Sequence, residues 1–227
     1  MQGRKVVVAF IFSLFVLVPH ASFADTLTLT GVGGQNTDGV YVFPYYFTVT
    51  GSVDSGTVIS MSCINFNRDV TMGESWSVNA IAVSGVTPSE TIDGESGLDI
   101  LADAYLFNQY SAATGNAQLT SDIQFAIWSV MDPSGVSVES GFDANAQALA
   151  AAALNVASNP NLNTSQFAND DLFVPSGSYP NGGEPQEFLT DPPPPVVNVT
   201  PEPASLVLLG TGLFSSAILL YRRQVKT

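Results

Sequence analysis

The chain has little of what most hydrolases and metalloproteins rely on. Its 227 residues include one histidine, one cysteine and six lysines and arginines. The histidine, His20, falls inside an N-terminal segment that reads as a removable leader, so the remaining chain has no imidazole. That excludes Ser-His-Asp and Cys-His nucleophile activation, and any zinc site built on histidine or on several cysteines. Cys63 has no internal partner for a disulfide, although the protein is bound for an oxidising compartment. Of the six basic residues, Arg4, Lys5, Arg222, Arg223 and Lys226 lie in the two ends. Arg68 stands alone between residues 25 and 200 against nineteen of the twenty acidic residues, a net charge of −18. Such a surface repels phosphate backbones, which sets nucleic acid aside as a partner. The carboxylates form no Asp-x-Asp-x-Asp-Gly loop and no Gly-Asp repeat, so they read as a solvated face, with no calcium, other metal or cofactor implied. Nor do they show a spacing that marks a glycosidase pair, and an enzyme acting on polysaccharide ranks last among the readings.

What is present is clearest at the ends. Arg4 and Lys5 precede an apolar stretch from Val6 to Val18, and Ser22-Phe23-Ala24 follows with small residues three and one positions before a cut. That order is a secretory signal peptide, 1–24, cleaved between Ala24 and Asp25. At the other end, Asp191-Pro192-Pro193-Pro194-Pro195 begins a stiff spacer covering 191–200. Pro201, Glu202 and Pro203 come next, then an uncharged apolar run from Leu206 to Tyr221, then Arg222-Arg223. The run is long enough to cross a bilayer with little tilt, and the basic cluster behind it stays cytoplasmic by the positive-inside rule. The two prolines keep the backbone before the span extended, a shape a processing enzyme can grip.

The Pro-Glu-Pro triplet, the apolar run and the terminal Arg-Arg resemble the PEP-CTERM sorting signal. The resemblance covers the end of the chain, 201–227, and implies recognition by exosortase, a membrane protease. It implies a route: export in a bacterium of the Gram-negative type, a transient inner-membrane intermediate held by the C-terminal segment, then the cell surface or extracellular matrix.

Between the ends, residues 25–190 are long enough for one domain with its own core. Strand-forming runs separated by glycine turns cover Thr26–Thr30, Val40–Thr50, Thr57–Phe66 and Trp76–Val83. Helical spacing then takes over: Leu98, Leu101, Ala102, Tyr105 and Leu106 mark one helix, and Leu119, Ile123, Ala126, Ile127 and Val130 a second. Thr120 or Ser121 is placed to cap the second helix and Asp132-Pro133 to end it. The Ala- and Leu-rich stretch from Asp143 to Val156 makes a third helix, and Asp171–Val174 and Gln186–Leu189 return to strand. The fold class is therefore α+β: an antiparallel sandwich or barrel-like set of strands with a central helical insert.

One pairing in this domain carries chemistry. Strand alternation puts Cys63 on the apolar face with Ile59 and Met61, where a free cysteine can serve simply as a small hydrophobe. On the second helix Gln124 and Trp128 are one turn apart at the border of the core stripe, and a glutamine there needs hydrogen-bond partners from a neighbouring loop or strand. Cys63-Ile64 and Gln124-Phe125-Ala126-Ile127-Trp128 are similar to the two short motifs of the thioester domain of Gram-positive adhesins and pili. Ser62 and Ile123 depart from that pattern, standing where the family has a large apolar residue and a threonine. The resemblance, over 41–132, implies a thioester between Cys63 and Gln124, shielded from water by Phe125 and Trp128 and open to attack by an amine. On this reading the protein is a surface adhesin or biofilm matrix protein that fixes an amine-bearing target covalently. The alternative is a structural component of the extracellular polysaccharide, held non-covalently, in which the Cys and Gln serve only the fold.

Overall fold

A computed structural model describes residues 25–191, apart from 35, 38, 52–55, 178 and 180–182. The signal peptide with Ala24, the spacer from 192, the triplet Pro201, Glu202 and Pro203, and the apolar run lie outside the described residues. Among the described residues no helix is long and apolar enough to cross a membrane.

Strands come first. They are β1 (Asp25–Val32), β2 (Asn36–Thr37), β3 (Val40–Tyr41), β4 (Tyr45–Thr50), β5 (Thr57–Cys63), β6 (Ser75–Ala82), β7 (Thr91–Ile92) and β8 (Glu95–Ser96). Four helices follow: α1 (Gly97–Phe107), α2 (Ala117–Met131), α3 (Pro133–Val136) and α4 (Ala144–Ala157). The chain then returns to strand in β9 (Asp171–Pro175) and β10 (Phe188–Thr190). Six strands close into an antiparallel barrel in the order β1-β4-β5-β10-β9-β6, and the short pairs β2-β3 and β7-β8 stand apart. Of the two all-antiparallel forms the sequence allows, the barrel is the one formed. Closure removes the unpaired strand edges that an open sheet presents.

The barrel follows from period-two alternation. In β4, Tyr45, Phe47 and Val49 are buried and the residues between them are not. Register then aligns inward residues across the ladders: Phe47 opposite Ile59, Tyr45 opposite Met61, Leu27 opposite both Val49 and Trp76, and Phe188 opposite both Cys63 and Phe173. All of these belong to one apolar cluster. Its centre is aromatic, with Phe47 and Phe188 ring centroids 4.5 Å apart and Trp76 edge-on to Phe47 at 5.7 Å. Burying one such side chain contributes about 1.5–3 kcal/mol.

The helices build a second cluster that is largely aliphatic. Ile100, Leu101 and Leu106 of α1, Ile123, Ala126, Ile127 and Val130 of α2, and Ala150, Ala153 and Ala157 of α4 pack together. The alanine stripe of α4 allows its backbone to approach α1 and α2 closely. Ser96 caps α1 by accepting from the Leu98 amide at 3.2 Å. The cap of α2 is Asn116, whose side chain accepts from the Leu119 amide at 3.1 Å, so the expected caps Thr120 and Ser121 lie inside the helix. The helix begins a turn earlier because Gly115, at φ +78°, reverses the chain and leaves Asn116 extended just ahead of it. The expected strand from Val40 to Thr50 is broken between Tyr41 and Tyr45, around Pro44, whose ring nitrogen cannot donate to a ladder. The end of α2 falls at Asp132, as the Asp-Pro pair dictates.

Candidate functional site

The helix α2 is apolar on two sides. Ile123, Ala126, Ile127 and Val130 face the helical cluster, while Phe125 and Trp128 enter the barrel cluster. Gln124 lies between these sets and is fully buried, so it sits at the seam of two cores and not at the edge of one. Strand β5 ends at the same seam. Cys63 joins the barrel cluster, Ile64 joins the helical cluster, and Ser62 turns its hydroxyl toward α2.

This arrangement brings together residues distant in sequence. The Gln124 side-chain Nε2 donates to the Cys63 carbonyl oxygen at 2.7 Å. Its Oε1 accepts from the Phe43 backbone N–H at 3.2 Å, the Ser62 hydroxyl at 3.2 Å and the Tyr110 hydroxyl at 3.1 Å. The Cys63 thiol is free and buried. It donates to the Asn65 carbonyl at 3.0 Å and accepts from the Trp128 indole Nε1–H at 3.4 Å. Phe125 packs edge-on to Trp128, centroids 5.2 Å apart, and Phe66 packs tilted against the indole, also at 5.2 Å. A Cβ at Gly141 would fall 2.2 Å from the Phe125 ring, so glycine lets the chain pass against it. All four residues singled out in the domain, Cys63, Gln124, Phe125 and Trp128, therefore meet in one place.

Burial governs the electrostatics. It pushes the Cys63 thiol up to about 12; the Trp128 and Asn65 hydrogen bonds oppose this, and the Glu187 and Asp103 carboxyls add to it. A thiol so placed is protonated at neutral pH, unlike the exposed, low-pKa thiolates of redox sensors. Burial also raises the Tyr110 hydroxyl well above its ordinary range, so it remains a donor. Beside the pair lie two buried acids. Asp103 on α1 is raised well above the carboxylate range by burial, and neither of its carboxyl oxygens meets a hydrogen-bond partner among the described residues. Glu187 is pushed up to about 8, first by burial, despite Arg68 Nη1 at 3.2 Å.

Two clefts reach residues that touch the pair. One, of about 250 Å³, is lined by Tyr41, Tyr45, Phe66, Asp69 and Trp128 among others. The second, of about 320 Å³, is lined by Phe43, Pro44, Tyr110 and Thr120 among others. Nothing in the local pattern marks Tyr110, Phe43 or Asn65 as site residues, and Ser62 stands out only as a departure from the adhesin pattern. Ser62 could have been found as the polar position beside Cys63, facing away from the barrel interior; the others meet only through tertiary packing.

The model of the PEP-CTERM protein-sorting motif matches residues 199–224. No curated protein and no solved structure matches the chain. The tail thus carries a sorting signal that routes the protein through export to exosortase, a membrane protein, and on to the cell surface.

Proposed function

We propose that this surface protein is an adhesin or matrix protein, a binding module and not an enzyme, that attaches covalently through a thioester between Cys63 and Gln124. The observation that carries the reading is the Gln124 carboxamide held against Cys63, with Nε2 2.7 Å from the Cys63 carbonyl and the sulfur hydrogen-bonded to the Trp128 indole N–H, in a site closed to solvent. The Cys63 sulfur attacks the Gln124 Cδ, the Cδ–Nε2 bond breaks, and ammonia leaves with the thiol proton. A dry site preserves the product, because it excludes the water that hydrolyses thioesters. A primary amine arriving from outside then attacks the same carbon, the C–S bond breaks, the sulfur regains a proton, and the target is held by an amide on residue 124. Phe125 and Trp128 shield the bond, and the aromatic cleft over Trp128 offers an approach for an amine-bearing chain.

Around this domain, on the same reading, the leader is cleaved between Ala24 and Asp25, residues 191–200 form a spacer, and the tail spans the inner membrane until exosortase processes it. Blocking exosortase retains the full tail and holds the protein in the inner-membrane fraction. Alanine substitution of Pro201, Glu202 and Pro203 together does the same, and unchanged size and location in that variant contradict the sorting route.

The thioester is tested by reactivity. Wild-type domain resists thiol alkylation, takes up methylamine, and thereby frees one thiol; Gln124→Ala takes up none. Full alkylation of unfolded wild type with no amine uptake points to the second reading, a non-covalent protein of the polysaccharide matrix. That reading draws on the same hydrogen bonds around Gln124, which also satisfy a buried amide.

A further inference from the structure

The Gln124 carbonyl oxygen meets more donors than a neutral amide requires. An amide oxygen has two lone pairs, yet three groups able to donate lie around Oε1, the Phe43 N–H, Ser62 and Tyr110, at 3.1–3.2 Å, the two hydroxyls also being within reach of each other. Resting on the thioester reading, we infer that these three groups form an oxyanion-stabilising pocket and that Ser62 and Tyr110 are catalytic residues for both the closing and the opening of the bond.

When the sulfur attacks Cδ, the carbonyl π pair moves onto Oε1, and the tetrahedral intermediate carries its negative charge there. Collapse restores the carbonyl and expels ammonia. The amine that later attacks Cδ charges the same oxygen, and collapse then expels the sulfur, which takes up the proton the amine sheds. Both steps gain from donors already aimed at the oxygen that charges, because no reorganisation is needed in the transition state. The donors are held in advance. The Tyr110 ring stacks on Phe43 with centroids 3.9 Å apart and 14° between planes, so one packed unit carries two of them. Ser62 is fixed on β5 next to the nucleophile, with its hydroxyl 3.3 Å from that of Tyr110. The position at which the chain departs from the adhesin pattern thus supplies one of the donors. Strength is added by the surroundings: Ser62 and Gln124 are fully buried, where competing water is absent.

The test is the rate of methylamine uptake, read by intact mass, in Ser62→Ala and Tyr110→Phe beside wild type, with melting curves to verify folding. Each loss slows uptake on the order of a hundredfold, as removal of one oxyanion donor does elsewhere, and Ser62→Thr, which keeps the hydroxyl, restores most of the rate. A merely structural hydroxyl would lower the melting temperature and leave the uptake rate of the folded protein unchanged. A wild type that shows ammonia loss, with folded variants reacting at the wild-type rate, overturns the pocket alone. A wild type with no ammonia loss overturns the thioester and the pocket together. If Tyr110→Phe does not fold, Ser62→Ala decides.

Discussion

The barrel and the helical lobe are stabilised by different kinds of core. The barrel interior is aromatic, centred on Phe47, Trp76 and Phe188, whereas the helical lobe is filled by Ile100, Leu101, Ile123, Ile127 and the alanines of α4. Aromatic rings leave few ways to repack, while an aliphatic and alanine core adapts by small shifts of helix against helix. The polar groups with chemistry lie where the two meet: Cys63 belongs to the barrel cluster, and Gln124 bridges from the helix toward it. A seam between two adjoining cores is a place where a buried carboxamide and a thiol can be held dry without either core having to accommodate both.

The largest effect is anticipated where the barrel core is least adaptable. Phe47→Ala removes a ring wedged between Trp76 and Phe188 and costs roughly 3–5 kcal/mol, measured by urea unfolding. A loss well under 2 kcal/mol would mean that the barrel repacks as freely as the helical lobe. At the seam, Gln124→Leu leaves the Phe43 N–H, Ser62 and Tyr110 without their shared acceptor. It costs about 2–3 kcal/mol, tempered because the two hydroxyls can turn toward each other.

Charge at the seam gives a pH signature. Glu187 is held protonated in the folded state up to about pH 8, against an ordinary glutamate value of 4.5. The folded protein therefore binds more protons than the unfolded chain in that window, and stability falls as pH rises through it and levels off above. Asp103, shifted upward by burial, acts in the same direction. Melting temperatures recorded from acid to mildly alkaline pH should decline in wild type and be flatter in Glu187→Gln; equal slopes would remove Glu187 from the account. The smallest effect belongs to the helical lobe, where Asn116→Ala removes the cap of α2 and costs about 1 kcal/mol by the same unfolding measurement.

Much of the frame was readable from pattern. The spacing of Leu119, Ile123, Ala126, Ile127 and Val130 marked α2, the Asp-Pro pair marked its end, and alternation put Cys63 inside with Ile59 and Met61. Barrel closure was not readable, because it depends on β10 pairing with β5 and β9 with β6 across the whole helical insert, and alternation says which face is buried but not which strands meet. Gln124 looked like a border residue because a single helical stripe was counted; Phe125 and Trp128 form a second apolar side that only the barrel reveals. Ser62 stood out only as a polar residue beside Cys63, and Tyr110 carried no local signal, since a hydroxyl's role here is set by what lies opposite it.

Whether the seam joins Cys63 to Gln124 can be read from the intact mass of the freshly purified, unfolded mature domain. A thioester gives a wild-type mass lower than the sequence mass by one ammonia, with no such loss in Cys63→Ala. A wild-type mass equal to that of the sequence, measured before any exposure to amines or alkaline buffer, would contradict it.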